Sequence, residues 1–361
     1  MNGTRPVFFS RCTELDGLRF FAVLGVMAVH FSPNWLGEMG PWGAWGVRFF
    51  FVLSGFLITQ LLISARTRVD DGWTSASVEY IRFSVRRALR LWPSYFLATA
   101  GAAALGLAYA QDMLPWNLLF VGNYYVVVND HWPTIMSHLW TLAVEQQFYV
   151  LWPVLILMAP PRGILAGLWL LIIAGPVFRM AEVAWGLGVN VHFVQLPSCV
   201  DYFAWGGLLA WTASKTNSPG IAVRRPEWLA GLLAIICLVS FHYGAKSFPV
   251  LWPAIEGVLL ALASLLLIRH CTDPRDSWIK VGLRQPAFVY LGRISYGIYL
   301  YHNFAHWAGP GILGRLTGER YFTQEWMHVL YYVALTIVVS AASWHLLEKP
   351  LERLRHRITS Q

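Results

Sequence analysis

The chain has 361 residues, of which 57% are hydrophobic and only 13% charged, and it carries a formal net charge of +8. Soluble domains hold about 25% charged residues, so an ordinary globular protein is excluded. In a chain this apolar, the positive balance points to arginine-rich loops on the cytoplasmic side of a membrane rather than to nucleic acid.

The first segment, "RFFAVLGVMAVHF" (19–31), follows Arg5 and Arg11 as a signal peptide would. No A-x-A-like cleavage site follows, and Arg19 lies inside the run, so an uncleaved first helix is expected. Apolar runs of about 17–25 residues then recur along the chain, each a candidate membrane span. They cover 17–33, 44–64, 88–109, 138–158, 163–184, 197–214, 227–243, 250–269, 286–307 and 327–347. The stretch "PWNLLFVGNYYVVV" (115–128) is too short to cross and reads as re-entrant or interfacial.

If the N-terminus is cytoplasmic, the inner loops hold Arg66, Arg68, Arg82, Arg86, Arg87, Arg162, Lys215, Arg224, Arg225, Arg269, Arg275, Lys280 and Arg284. The outer loops hold only Lys246, Arg315 and Arg320. This asymmetry predicts an all-α polytopic membrane bundle of about ten helices with both termini cytoplasmic. No internal repeat and no long polar loop is evident, so 1–361 reads as one membrane domain. The four cysteines (Cys12, Cys199, Cys237 and Cys271) are scattered, and neither a disulfide framework nor a metal site is expected.

Ionisable groups within spans are costly, and each is a functional candidate. Arg19 and His30 are eleven residues apart, about three helical turns, so they share a face roughly 16 Å apart along the axis. On their own, a snorkelling arginine and a histidine bonded at a helix end explain them equally well. Glu145, His138, Arg179, Asp201 and His302 lie in other spans at comparable depth. A water-accessible polar cavity opening outward accounts for all of them together. In "SVRRALRLWPSYF" (84–96), Arg87 and Arg90 are spaced i,i+3 and Arg86 and Arg90 i,i+4. Membrane anchoring and bidentate phosphate binding are both open to such a cluster. Ser54-Gly55 lies mid-span outside any GxSxG elbow and reads as a packing contact rather than a nucleophile.

The stretches "LDGLRFFAVLGVMAVHF", "GVRFFFVLSGFLIT", "RRALRLWPSYF", "HLWTLAVEQQFYVLWP", "ISYGIYLYH" and "LLEKPLERL" span residues 15 to 354. In this combination and order the sequence resembles the acyltransferase-3 family of integral membrane acyltransferases. The resemblance implies that His30, paired with Arg19 in the family's first-span motif, is catalytic. It also implies that the Arg87–Arg90 pair serves acyl-coenzyme A and that Glu145 belongs to the site. Gln146 stands where many relatives have a second Glu, and Arg48 stands where many are acidic. The fused C-terminal hydrolase-like domain of some relatives is not expected here.

These implications set a mechanism to test. Acyl-CoA, with acetyl-CoA as the expected donor, would bind through Arg86, Arg87 and Arg90. His30 would act as general base on an acceptor hydroxyl. Glu145 would orient its imidazole, and Arg19 would stabilise developing charge. Arg48, His138, Arg179, Asp201 and His302 would shape the acceptor side. The expected partners are acyl-CoA, the lipid bilayer of a bacterial inner membrane, and a hydroxyl acceptor. The acceptor would be an extracytoplasmic glycan such as an exopolysaccharide or lipopolysaccharide, with a small molecule as a variant. No metal or nucleic acid is expected, and the oligomeric state is left open. The competing class is a multi-span transporter or exporter of a glycolipid or solute, which also tolerates intramembrane charge.

Overall fold

A computed structural model describes residues 12–32, 39–186, 193–216, 226–318, 322 and 324–353. Among these residues there are helices and turns but no strand. Backbone groups in lipid must be satisfied within the segment, and helices do this without a partner. The long helices are α1 (Thr13–Phe31), α2 (Trp42–Asp70) and α3 (Ala76–Ala104), followed by the short α4 (Ala110–Leu118) and α5 (Gly122–Asn129). Next come α6 (Trp140–Met158, preceded by a 3-10 turn Ser137–Leu139), α7 (Pro161–Ala184), α8 (Leu196–Thr216) and α9 (Pro226–Ser247). The last are α10 (Trp252–Thr272), α11 (Trp278–Leu283), α12 (Pro286–Arg293), α13 (Ser295–Thr317) and α14 (Glu325–Ser343).

Five of these, by length and composition, are apolar enough to cross a membrane: Trp42–Asp70, Ser137–Met158, Pro161–Ala184, Trp252–Thr272 and Glu325–Arg353. Each apolar run read from the sequence lies mainly on helix among the described residues, with residue 33 outside them, but the boundaries differ in instructive ways. The third run begins well before 88: Ser75 caps α3 by accepting from the Val78 N–H at 3.3 Å. The arginine-bearing stretch is therefore one continuous helix with the following apolar turns. The run 286–307 is two helices that break at Ile294. Gly292, a poor helix former, lies there with its Cα directly against the Asp16 carbonyl, where an added Cβ would sit 1.7 Å from the oxygen. The run 327–347 passes from α14 into a π turn, Trp344–Glu348, and such bulges often mark functional positions. The 115–128 stretch lies on α4 and α5, of 9 and 8 residues, each too short to span.

α2 lies at the centre of the bundle and packs on α1, α6, α8 and α10. The α2–α8 crossing is unusually close because both sides are glycine. A Cβ on Gly55 would meet the Phe203 carbonyl at 2.1 Å, and one on Gly206 the Val52 carbonyl at 2.0 Å. Small residues at such crossings let two membrane helices reach backbone contact. That approach sets which face of α2 is left for the site: Gly55 faces α8, and its neighbour Ser54 faces a cavity.

Candidate active site

Three adjoining cavities run through the bundle. The first is a vestibule of about 350 Å³, lined by Arg19, Arg87, Arg90 and Arg293 with Asp16, Glu348 and Glu352. It shares those four arginines with a throat of about 150 Å³. The throat also presents Ser54, Glu145 and Tyr149, so four guanidinium groups face one carboxylate there. Beyond it lies a chamber of about 550 Å³ bearing His30, Arg48, His138, Arg179, Asn303 and His306. Val47, Phe51 and Tyr299 line both the throat and this histidine chamber.

In the throat, Ser54 donates to Glu145 Oε1 at 2.6 Å and Tyr149 donates to the same oxygen at 2.5 Å. Tyr149 follows Glu145 by one helical turn, so α6 alone aligns them. Arg87 lies over both the Phe83 and Tyr149 rings, its guanidinium carbon 5.6 Å from each centroid. Arg90 is exposed. Arg19 pairs with Asp16 at 3.0 Å, and Arg293 approaches the other oxygen of Asp16 at 3.6 Å. Arg86 lines none of the three cavities.

In the histidine chamber, His30 Nδ1 lies 2.9 Å from the Val26 carbonyl. A carbonyl only accepts, so Nδ1 carries the proton and Nε2 holds the lone pair. His302 sits edge-on to His30, with ring centroids 4.7 Å apart, and His138 sits 4.9 Å beyond. His302 Nδ1 donates to the Tyr299 carbonyl at 2.7 Å, and His138 Nε2 to the Leu300 carbonyl at 3.0 Å. The buried His302 Nε2 and His138 Nδ1 have no hydrogen-bond partner among the described residues. His302 itself lies behind the chamber wall.

Two arginines of this half are paired with carboxylates from other helices. Arg179 grips Asp201 with both guanidinium nitrogens at 2.8 Å, and both side chains are buried. Arg48 pairs with Glu256 at 2.9 Å, and Trp45 Nε1 donates to the same carboxylate at 3.1 Å. Glu182 accepts from Gln195 and Ser198 at 2.9 and 3.0 Å.

The sequence-predicted residues are thus sorted into two groups. Arg19, Arg87, Arg90 and Glu145 meet in the throat, and His30, Arg48, His138 and Arg179 meet in the chamber. Three expectations need correction. Glu145 is bonded to Ser54 and Tyr149 and does not orient His30, whose ring is held instead by a carbonyl of its own helix. Arg19 and His30 share α1 but open into different cavities. Asp201 does not line the chamber, because Arg179 consumes both of its oxygens. Sequence reasoning set Ser54 aside as a packing contact and missed Tyr149, Tyr299, Glu182, Glu256 and His306. Glu182 and Glu256 carried a usable signal, as carboxylates inside apolar runs. Tyr149 and His306 stand one turn after residues already singled out.

The described helices and their cavities define a helical membrane protein with a polar site inside the bundle. The chain belongs to the acyltransferase-3 family: the family model, described as an acyltransferase domain, matches residues 13–346. It is 26% identical over 375 residues to the peptidoglycan O-acetyltransferase OatA of Listeria monocytogenes, covering 94% of this chain and 56% of that protein. It is 25% identical over 377 residues to the O-acetyltransferase OatA of Staphylococcus aureus, covering 94% of this chain and 57% of that one. The chain therefore spans about half the length of the curated relatives it matches. No solved structure matches.

Proposed function

We propose that the chain is a membrane O-acyltransferase, carrying an acetyl group from cytoplasmic acetyl-CoA to a sugar hydroxyl of a cell-envelope glycan. The observation that carries this reading is the adjoining pair of sites, arginines on one side and a histidine with a free lone pair on the other. In this reading about ten helices cross a bacterial inner membrane with both termini inside. The vestibule then faces the cytoplasm, where the acyl thioester is made. Arg87 and Arg90, with Arg19 and Arg293 beside them, hold the donor's phosphates. The pantetheine arm enters the throat, and the acceptor hydroxyl comes through the histidine chamber. His30 Nε2 removes its proton, with the tautomer held by the Val26 carbonyl. The peptidoglycan named for the Listeria relative supports a glycan acceptor of the envelope. The 361 residues act as one membrane domain.

The test uses protein purified into nanodiscs, labelled acetyl-CoA and soluble peptidoglycan fragments. His30→Ala is expected to lower transfer about 10²- to 10⁴-fold, the usual worth of a positioned general base, and to leave acetyl-CoA binding intact. Normal transfer by that variant would remove the histidine from the mechanism. Folded wild type that binds no acyl-CoA would turn the three cavities into a solute route, the transporter reading.

A further inference from the structure

Deepening the acyltransferase reading, and resting on it, we infer that Ser54 is an acyl-accepting nucleophile and that the acyl group crosses the throat as an ester on its Oγ. The helix crossing explains Gly55 but not Ser54. Gly55 meets the Phe203 backbone, whereas Ser54 turns into the throat and gives its proton to Glu145 at 2.6 Å. A hydroxyl donating to a carboxylate at that distance has the reach a nucleophile needs to its general base. Tyr149 holds the same carboxylate oxygen from the adjacent turn and so fixes it in place.

The volumes favour a relay. The throat, at about 150 Å³, has the smallest volume of the three cavities, and the base His30 lies beyond it in a chamber of about 550 Å³. A covalent stop on Ser54 lets the thiol withdraw before the acceptor arrives, so the throat need not hold both. In the first half, Oγ attacks the thioester carbonyl and its proton passes to Glu145. The C–S bond breaks, and Glu145 returns the proton to the leaving sulfur, releasing free coenzyme A. In the second half, the acceptor oxygen attacks the ester carbonyl and the bond to Oγ breaks. The acceptor's proton is taken by His30 and returns through water to Oγ, restoring the serine. Glu145 begins and ends as a carboxylate, and no other reactant is consumed.

The experiment incubates purified protein with labelled acetyl-CoA and no glycan, removes small molecules, and maps label by peptide mass spectrometry. One acetyl group on the peptide containing Ser54 is expected in wild type. That label should leave the protein when soluble peptidoglycan fragments are added. Ser54→Ala is expected to lose both the label and the transfer while still binding acetyl-CoA by calorimetry. Glu145→Gln should slow label formation without moving its position. Wild type that transfers acetyl to glycan with no label on Ser54, or Ser54→Ala that still transfers, would overturn the relay and leave the acyltransferase reading standing. Wild type that neither labels nor transfers from any acyl-CoA would overturn that reading, and the relay with it.

Discussion

The two halves of the polar interior hold the same residue type in different surroundings. Around the histidine chamber, Arg48 and Arg179 are each locked to a carboxylate from another helix, Glu256 and Asp201. Around the throat, Arg19 and Arg293 share Asp16 at the vestibule side, whereas Arg87 lies over aromatic rings and Arg90 is exposed. Two charges taken out of water are tolerated when they neutralise each other, and such a pair shapes a wall without reaching a ligand. A guanidinium at a cavity surface presents a planar fork that matches a phosphate or carboxylate. An intramembrane arginine is therefore not evidence of a binding site until its partner is known.

That contrast breaks most visibly at the buried pair. Asp201→Ala leaves the Arg179 guanidinium buried and uncompensated, and breaking such a pair costs about 3–5 kcal/mol. A large drop in unfolding midpoint in detergent is the expected outcome. An unchanged midpoint with altered acceptor preference would move Arg179 from the wall into the site. The throat side should respond in the reverse sense. Arg87→Ala with Arg90→Ala is expected to keep the midpoint and weaken acetyl-CoA binding about a hundredfold, given about 1.5–3 kcal/mol for each hydrogen bond to a charged group. Calorimetry on wild type and variant decides this, and unaltered affinity would return these arginines to membrane anchoring.

The smallest effect lies outside both halves, in the loop after α10. There Asp273 accepts from the Arg275 guanidinium at 2.9 and 3.0 Å. Those bonds hold its carboxyl down at about 2. A depressed carboxylate stabilises the fold above its unfolded pKa of about 3.9, and that contribution is lost as pH falls through the folded value. Asp273→Asn should therefore show a slight deficit at neutral pH that fades between pH about 4 and about 2. A deficit that grew on acidification would reverse the assignment. Arg275 is exposed, and water screens such a pair, which is why the effect is small.

How much was legible in advance follows from the range of each interaction. Apolar runs located the helices because lipid selects for apolar length locally. The i,i+3 spacing placed Arg87 beside Arg90 because a helix has one geometry. Break points were less legible: the stop at Ile294 and the π turn at 344–348 lie against neighbours, Asp16 and α3, that are far away in the chain. The pairing of Glu145 was out of reach for the same reason. Its bond to Ser54 joins residues 91 apart, and the glycine crossing of α2 on α8 decides which way Ser54 turns.

By itself the sequence determined an all-helical membrane chain, its family, and which helices carry arginine and histidine. Those properties depend on composition and on periods of a few residues. Only the tertiary structure decided which charges neutralise each other, which line a cavity, and that Glu145 serves a serine rather than His30. Partner choice among buried polar groups is set by helix packing, and packing is a property of the whole bundle.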